Sequence, residues 1–291
     1  MKVTISNEIN NITATIDSFG AELISLKNIS TNTEYIWQKN PQYWSKSSPV
    51  LFPFIGALKS NEYFYNEKKY SFPKKHGFAR DNEFEIYIQK EDYVSFKLSS
   101  SKETREIFPF EFNFFINYSL KKNILIIEYI IENLDENKLY FSLGNHPAFN
   151  IPTSENITLN DYFIEFKKDE NENLYILNNS LFDPQNKLKN IKNKIFNINT
   201  EIFNNDVLIL KNSNSKIVWL KNYKNNFRLS FKFEGFKHLG FWSKPQAEFI
   251  CLEAWNGLPD YINHSGNLIE KKDIENLNPK EKYIRKIKIE I

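Results

Sequence analysis

Residues 111–132 read EFNFFINYSLKKNILIIEYIIE, and this stretch decides the fold class. It contains two runs rich in β-branched and aromatic residues, Glu111–Leu120 and Ile124–Glu132, which have the composition of β-strands. The residues between them, 121–123, are polar and typical of the tip of a hairpin. The stretch therefore predicts two long neighbouring strands joined by a short turn.

Outward from this hairpin, the same strand signals recur along the chain, separated by turn residues at short intervals. The further predicted strands are Thr13–Phe19, Glu83–Gln89, Tyr93–Ser99, Leu139–Leu143, Tyr162–Phe166, Val207–Lys211, Lys216–Leu220, Phe227–Phe233, Leu239–Trp242, Glu248–Trp255 and Tyr283–Ile291. Helical patterns are scarce, since only 40–46, 101–108 and 279–283 have room for a turn or two. This pattern favours an all-β protein, a β-sandwich, over an α/β fold.

The stretch 169–205 differs from the rest because it is rich in Asn and Lys and only weakly periodic. We expect a long excursion or insertion there and not a linker, because strand signals resume without a break rich in Pro, Ser or Gly. No internal repeat stands out. Residues 1–291 are therefore predicted to form a single domain.

The composition narrows the class of protein. The chain has 291 residues, 41% of them hydrophobic and 16% aromatic, which is enough for a sizeable core. Its 38 basic and 36 acidic residues are interspersed, so no nucleic-acid-binding face is indicated. The single cysteine, Cys251, excludes an internal disulfide and fits a reducing compartment. No signal-peptide pattern and no run of about 18 apolar residues is present, so we expect a cytoplasmic protein without a membrane span.

In each of three short segments, one ionisable residue stands among apolar or turn-forming residues. Charged residues are rarely fully buried unless they are paired or used. The segments are KKHGFAR at 74–80 with His76, GNHPAFN at 144–150 with His146, and FICLEAWNG at 249–257 with Glu253.

Glu253 lies on a predicted strand that is apolar on both faces. Its own face carries Phe249, Cys251 and Trp255, and the alternate residues are also apolar. A carboxylate there is costly to bury, and burial raises its pKa. Two explanations remain open at this point: a buried ion pair with a nearby Lys or Arg, or a cleft that a substrate completes.

His146 has two interpretations as well. Pro147 restricts its backbone to an extended conformation, which helps to fix the direction of the imidazole. Histidine is a natural acid or base near neutral pH, but a histidine at a strand end also caps turns. His76, four residues before Arg80, is either a loop histidine beside a solvated arginine or a binding residue.

Other chemistries find no support in the sequence. It has no Gly-rich phosphate loop, no CxxC pair and no Gly-x-Ser-x-Gly elbow. Scattered histidines without carboxylates at suitable spacing do not indicate a metal site, and Cys251 is interpreted as a core residue. No metal or cofactor is therefore predicted, and His238 and His264 are assigned no function.

Five motifs in the sequence are similar to those of a known family. They are VLFPFIG at 50–56, HGFAR at 76–80, NHPAF at 145–149, LGFWSKP at 239–245 and CLEAW at 251–255. Through their order and spacing, from about residue 50 to 260, the chain resembles the aldose 1-epimerase (galactose mutarotase-like) family. It looks closest to the bacterial branch associated with lactose metabolism and to the related hexose-6-phosphate mutarotases.

The resemblance implies a fold, the galactose mutarotase-like supersandwich, which is a large antiparallel β-sandwich with a sugar cleft on one face. By motif position, His146 is implied to be the general acid and Glu253 the general base. The implied reaction interconverts the α and β anomers of a hexose by opening its ring, which needs a proton donor and a proton acceptor but no cofactor.

The resemblance also implies substrate-binding residues and shows two departures. His76, Arg80 and Asp206 are implied to bind substrate hydroxyls or a phosphate, although Asp206 by itself is also an ordinary strand-start residue. Trp255 is a candidate for stacking on the sugar, with core packing as the alternative. Family members commonly have an Arg where Ala57 stands, and a Pro where Ala254 stands.

These observations leave three hypotheses of different kinds. The first is a mutarotase, an isomerase of carbohydrate metabolism acting on a free hexose, or alternatively on a hexose 6-phosphate. The second is a non-catalytic carbohydrate-binding protein on the same sandwich, and the third is a structural domain of a glycoside-processing enzyme. The presence of both His146 and Glu253 favours the first. Arg80 and Lys59 are the cations expected to reach the cleft, and neither the sugar nor the oligomeric state follows from the sequence.

Overall fold

The computed structural model describes residues 1–170, 173–188, 191, 193–199, 201–204 and 206–291. This part of the chain is built almost entirely of strands. In chain order, β1 to β13 are Lys2–Asn7, Ile12–Asp17, Glu22–Asn28, Thr33–Glu34, Val50–Leu51, Glu62–Tyr65, Lys68–Ser71, Glu85–Gln89, Tyr93–Ser99, Phe112–Lys121, Ile124–Asn133, Leu139–Phe141 and Leu143–Asn145. The remaining strands, β14 to β25, are Ala148–Asn150, Tyr162–Phe166, Leu174–Asn178, Leu181–Leu188, Ile195–Asn197, Leu208–Leu210, Ile217–Asn222, Arg228–Lys232, His238–Trp242, Phe249–Asn256, Glu275–Leu277 and Lys282–Glu290.

Helices are few and short. One α-helix, α1 at Lys102–Ile107, is capped by Ser101, whose side chain accepts a hydrogen bond from the Thr104 N–H. Single 3₁₀ turns occur at Glu8–Asn10, Lys59–Asn61, Ala79–Asp81, Leu159–Asp161 and Leu268–Glu270. None of the helices in the described ranges is long and apolar enough to cross a bilayer.

Two large sheets dominate the fold. One has nine strands in the order β18-β15-β20-β21-β25-β11-β10-β9-β8. The other has eight: the order is β17-β16-β19-β22-β23-β13-β5, and β14 also pairs with β23. The paired strands are antiparallel. A four-stranded sheet, β1-β2-β3-β4, contacts β9 and β10 of the nine-stranded sheet. The predicted fold class, a large antiparallel β-sandwich, is confirmed.

The predicted hairpin forms the middle of the nine-stranded sheet. β10 pairs with β11 over ten residues, from Phe112↔Asn133 to Lys121↔Ile124. Along β11, buried residues alternate with half-exposed ones, as expected for a strand with one face in the core. On the outer face, the carboxylate of Glu128 lies 2.6 Å from the ammonium group of Lys286 on the neighbouring β25.

The eight-stranded sheet positions the site, and β23 is its central strand. All eight residues of β23 are buried. Ile250, Leu252 and Ala254 point into the main core, while Phe249, Cys251 and Trp255 belong to two smaller apolar clusters on the opposite face. The sequence-based prediction that this strand is apolar on both faces is confirmed, and so is the core position of Cys251.

Some local predictions were wrong. Residues 40–46 form turns and no helix, and residues 279–283 form a turn leading into β25. The described parts of 169–205 contain three strands, β16, β17 and β18, so this stretch belongs to the sheets and is not simply an excursion. Its residues 171, 172, 189, 190, 192, 200 and 205 lie outside the described residues.

Candidate active site

A cleft of about 190 Å³, open to solvent, lies over the face of β22 and β23 that carries Trp242, Glu253 and Trp255. All six residues named from the sequence line it: His76, Arg80, His146, Asp206, Glu253 and Trp255. These residues come from segments that are widely separated in the chain, and the fold brings them together.

Glu253 lies at the floor of the cleft and is only 1% exposed. Neither carboxylate oxygen has a hydrogen-bond partner among the described residues. Burial raises the pKa of Glu253 well above its usual value, the negative charge of Asp206 raises it further, and the nearby indole of Trp255 opposes the shift. The expected rise in pKa is thus present. An ion pair with Lys or Arg is absent from the described part of the chain, where His146 is the one basic side chain within 4.0 Å of this carboxylate.

His146 faces Glu253 directly. Its Nε2 lies 3.3 Å from Glu253 Oε1, and its ring stacks on Trp44 with centroids 4.9 Å apart. Burial lowers the pKa of His146 to about 3, and the charge of Arg80 contributes to this shift. At neutral pH the imidazole is therefore uncharged.

Trp255 forms another part of the floor because two glycines leave room for its ring. A Cβ on Gly144, its cross-strand partner on β13, would lie 2.8 Å from Trp255 Cδ1. A Cβ on Gly240 of β22 would lie 2.9 Å from Trp255 Cζ2 and 3.3 Å from Glu253 Cβ. The indole thus packs over Gly144 and Gly240, which have no side chains. Its Nε1 has no hydrogen-bond partner among the described residues.

His76 is held by two hydrogen bonds with Gly56. The His76 N–H donates to the Gly56 carbonyl at 2.9 Å, and the Gly56 N–H donates to His76 Nδ1 at 3.2 Å. Because Nδ1 accepts, the proton of the neutral ring is on Nε2. Burial lowers the pKa of His76 well below its usual value, and repulsion from a protonated His146 and from the positive charges of Arg80 and Lys75 adds to the shift. His76 has a backbone φ of 64°, a left-handed conformation that costs a non-glycine residue energy and is enriched at functional sites.

Arg80 and Asp206 bring opposite charges to the cleft. Arg80 is on the 3₁₀ turn Ala79–Asp81, is half-buried, and within the described ranges has neither a carboxylate within 4.0 Å nor a partner for Nε. Burial lowers the pKa of Arg80, but an arginine stays charged at neutral pH. Asp206 is an exposed part of the lining, directly before Val207.

Comparison with known proteins identifies the family of this chain. The model of the aldose 1-epimerase family matches residues 1–274. The chain belongs to the aldose 1-epimerase family. The resemblance stated from the sequence motifs is confirmed.

Individual family members are similar to this chain at modest identity. The plasmid-encoded protein LacX of Lactococcus lactis is 29% identical over 281 residues, which cover 94% of this chain and 93% of that protein. A galactose mutarotase related enzyme from Lactobacillus acidophilus has 30% identity and a TM-score of 0.93, covering 100% and 97% of the two chains. A galactose mutarotase-like protein from Lactobacillus casei has 26% identity and a TM-score of 0.90, covering 100% and 99%.

This aldose 1-epimerase family member also has cleft residues that sequence reasoning missed. Trp44 was missed because the segment around it was interpreted as helical, and Ser180 because its strands were not recognised. Lys75 lines the cleft and its Nζ donates to Ser180 Oγ at 2.7 Å. Lys59, which was expected in the cleft, instead donates to the carbonyl of His264 at 3.1 Å, so that expectation was wrong.

One cluster in the cleft has the residue types of a metal site, but the protonation states of its donor atoms do not suit a metal ion. His146, Cys251 and Glu253 have potential ligand atoms within 4.8 Å of one another, all on buried residues. Burial, and next the charge of Glu253, raise the pKa of the Cys251 thiol well above its usual value, so the thiol stays protonated. A protonated thiol, a carboxyl group with a raised pKa and the nearby charge of Arg80 make a poor site for a cation. We therefore assign no metal to this cluster.

Proposed function

We propose that this protein is an aldose 1-epimerase, or mutarotase, an isomerase that interconverts the α and β anomers of a hexose in carbohydrate metabolism. The observation that carries the proposal is the pairing of His146 and Glu253. A basic and an acidic side chain lie 3.3 Å apart at the floor of a cleft, and the buried carboxylate has no partner of its own among the described residues. A buried polar group without a partner is costly, and sugar hydroxyl groups would supply hydrogen bonds to it.

The reaction needs two proton transfers to open the sugar ring. In our proposal Glu253 takes the proton of the anomeric hydroxyl while His146 delivers a proton to the ring oxygen. The C1–O5 bond breaks, the C1–C2 bond rotates, and the ring closes on the other face as both protons return. Each positioned acid or base contributes roughly 10²–10⁴-fold to the rate.

The electrostatics of the cleft suit this proton cycle. The shifted pKa values of His146 and Glu253 favour the neutral pair, in which Glu253 holds the shared proton. That is also the state of the pair once the ring has opened. Ring opening uses the charged pair, protonated His146 and ionised Glu253, which forms when the shared proton crosses the 3.3 Å between them. Forming this pair costs free energy, and its return to the neutral pair during ring opening recovers that cost.

The remaining cleft residues bind the sugar in this proposal. His76 Nε2–H and the Arg80 guanidinium are donors, and Asp206 is an acceptor for hydroxyl groups. Trp255 and Trp44 offer flat apolar surfaces of the kind on which sugar rings stack. We further propose that residues 1–291 form one domain, because one apolar cluster runs from Val3 to Ile289, and that the protein works in the cytoplasm on a small sugar, without cofactor or nucleic acid.

Polarimetry or a coupled anomer assay on a panel of free aldoses tests the proposal, with Glu253→Gln as the decisive variant. This change is nearly isosteric and removes the base, so we expect at least a roughly 100-fold loss of kcat while the folded protein remains. Lys74→Ala, at an exposed residue outside the cleft lining, is the control and should keep full activity. A Glu253→Gln variant that retains wild-type kcat would contradict the catalytic role. Sugar binding by calorimetry without any turnover would support the non-catalytic alternative.

A further inference from the structure

The strand pairing beside β23 is interrupted at the position of the proposed acid–base pair. β13 pairs with β23 through Leu143↔Asn256 and Gly144↔Trp255, and β14 resumes at Ala148↔Cys251. The register is the same on both sides of the gap. Counting one residue at a time therefore places Asn145 opposite Ala254, His146 opposite Glu253 and Pro147 opposite Leu252.

The hydrogen-bond pattern explains why the two side chains meet. The Leu252 N–H donates to the Pro147 carbonyl at 3.2 Å, so Pro147 and Leu252 occupy a hydrogen-bonded position of the ladder. Such positions alternate with non-hydrogen-bonded ones, where opposite side chains come closest. His146 and Glu253 are such a close pair, and Asn145 and Ala254 should form the next hydrogen-bonded one.

At that next position, the side chain of Asn145 makes the bonds that its backbone would make in a regular ladder. The Ala254 N–H donates to Asn145 Oδ1 at 3.3 Å, and Asn145 Nδ2 donates to the Ala254 carbonyl at 3.4 Å. The side-chain amide of Asn145 thus lies between its own segment and β23, and the residue is only 2% exposed. The inserted amide joins the residue before His146 to the residue after Glu253.

We propose that Asn145 is a positioning residue that sets the distance and angle between His146 and Glu253. The proposal rests on the proposed function for its catalytic consequence, but the placement of His146 can be measured without any activity. Only an amide has a donor and an acceptor in the arrangement that both backbone groups of Ala254 require. Loss of this link lets the 145–147 segment move relative to β23, and a displacement of about 1 Å can cost on the order of 100-fold in rate.

The test compares Asn145→Ala with the matched control Asn133→Ala. Asn133 is 1% exposed, and its side chain likewise bonds to backbone groups: Nδ2 donates to the Asn137 and Leu277 carbonyls, and Oδ1 accepts from the Asp135 N–H. It does not line the cleft. Both variants should lower the melting temperature, but only Asn145→Ala should lower kcat per folded molecule, by roughly 10–100-fold with KM nearly unchanged.

An NMR readout separates this inference from the proposed function. With 4 histidines in the chain, the ring signals of His146 can be assigned by their loss in His146→Gln. We expect these signals to shift in Asn145→Ala and to stay in place in Asn133→Ala, whether or not the protein has mutarotase activity. Unchanged His146 signals in folded Asn145→Ala, or an equal loss of kcat in both variants, would overturn the positioning role.

Discussion

At the scale of single residues, the burial of Glu253 has an energetic consequence for the fold. Its carboxyl group is buried, faces His146, and has no hydrogen-bond partner within the described residues. An ionised carboxylate there is poorly solvated, so the native state holds the proton more tightly than the unfolded chain does. The buried carboxyl that the proposed function uses as a base thus makes the native state less stable as pH rises.

This predicts a pH-dependent stability difference between the wild type and Glu253→Gln. Because the folded pKa of Glu253 is raised, wild-type stability falls as pH rises from the ordinary value of 4.5 to the folded value. The variant lacks this loss, so its unfolding free energy relative to wild type should increase over that range, by about 1.4 kcal/mol for each pH unit between the two pKa values. Urea unfolding at a series of pH values measures this difference.

His146 has the opposite dependence on pH. Its lowered pKa, about 3 instead of 6.5, makes the native state of both proteins lose stability as pH falls below 6.5, which is opposite in direction to the effect of Glu253. If Glu253 were held by a buried cation, Glu253→Gln would instead cost about 3–5 kcal/mol at neutral pH. Two results would contradict a desolvated carboxyl at Glu253. One is a difference in unfolding free energy that does not change with pH, and the other is a loss of about 3–5 kcal/mol in Glu253→Gln at neutral pH.

At the scale of elements, alternation in the sequence determined which strands could be predicted. Tyr93–Ser99 and Tyr162–Phe166 were predicted with the bounds that the structure has. Apolar and polar residues alternate clearly in the first, and the second is aromatic or apolar except for Glu165. β17, LFDPQNKL, was missed because it lies at a sheet edge, where a proline and several polar residues are tolerated. The sequence motifs predicted the candidate site residues that lie within them, such as His76, His146 and Glu253. The stacking of Trp44 on His146 could not be predicted, because it is a tertiary contact that no local sequence pattern encodes.

The strands flanking β23 make an element-level prediction about Trp255. Gly240→Ala should destabilise the protein by about 1–3 kcal/mol, because the added Cβ would lie 2.9 Å from the indole. Trp255→Phe removes the ring atoms that clash, so the double variant should be more stable than the sum of the two single changes. A double-mutant cycle by urea unfolding measures this coupling, and additivity within about 0.5 kcal/mol would show that the glycine does not make room for the ring.

At the scale of the whole molecule, the cleft is lined by segments that are far apart in the sequence and that the sandwich fold places side by side. The floor comes from the central strands of one sheet, whereas the rim comes from turns on different parts of the chain, among them the β16–β17 connection with Ser180. Under the proposed function, the rim is therefore the part of the cleft that selects the sugar. Its charges are the cations Arg80 and Lys75 and the carboxylate of Asp206.

This distribution of charge predicts a preference for a neutral aldose over a hexose 6-phosphate. A phosphate dianion usually needs two convergent donors. Here Ala57 stands where the family resemblance implies an arginine, Lys75 is bonded to Ser180, and Asp206 repels an anion. We expect kcat/KM for glucose to exceed that for glucose 6-phosphate, with little dependence on salt. A strong, salt-sensitive preference for the phosphorylated sugar, lost in Lys75→Ala but kept in Lys74→Ala, would contradict this and assign Lys75 and Arg80 to phosphate binding.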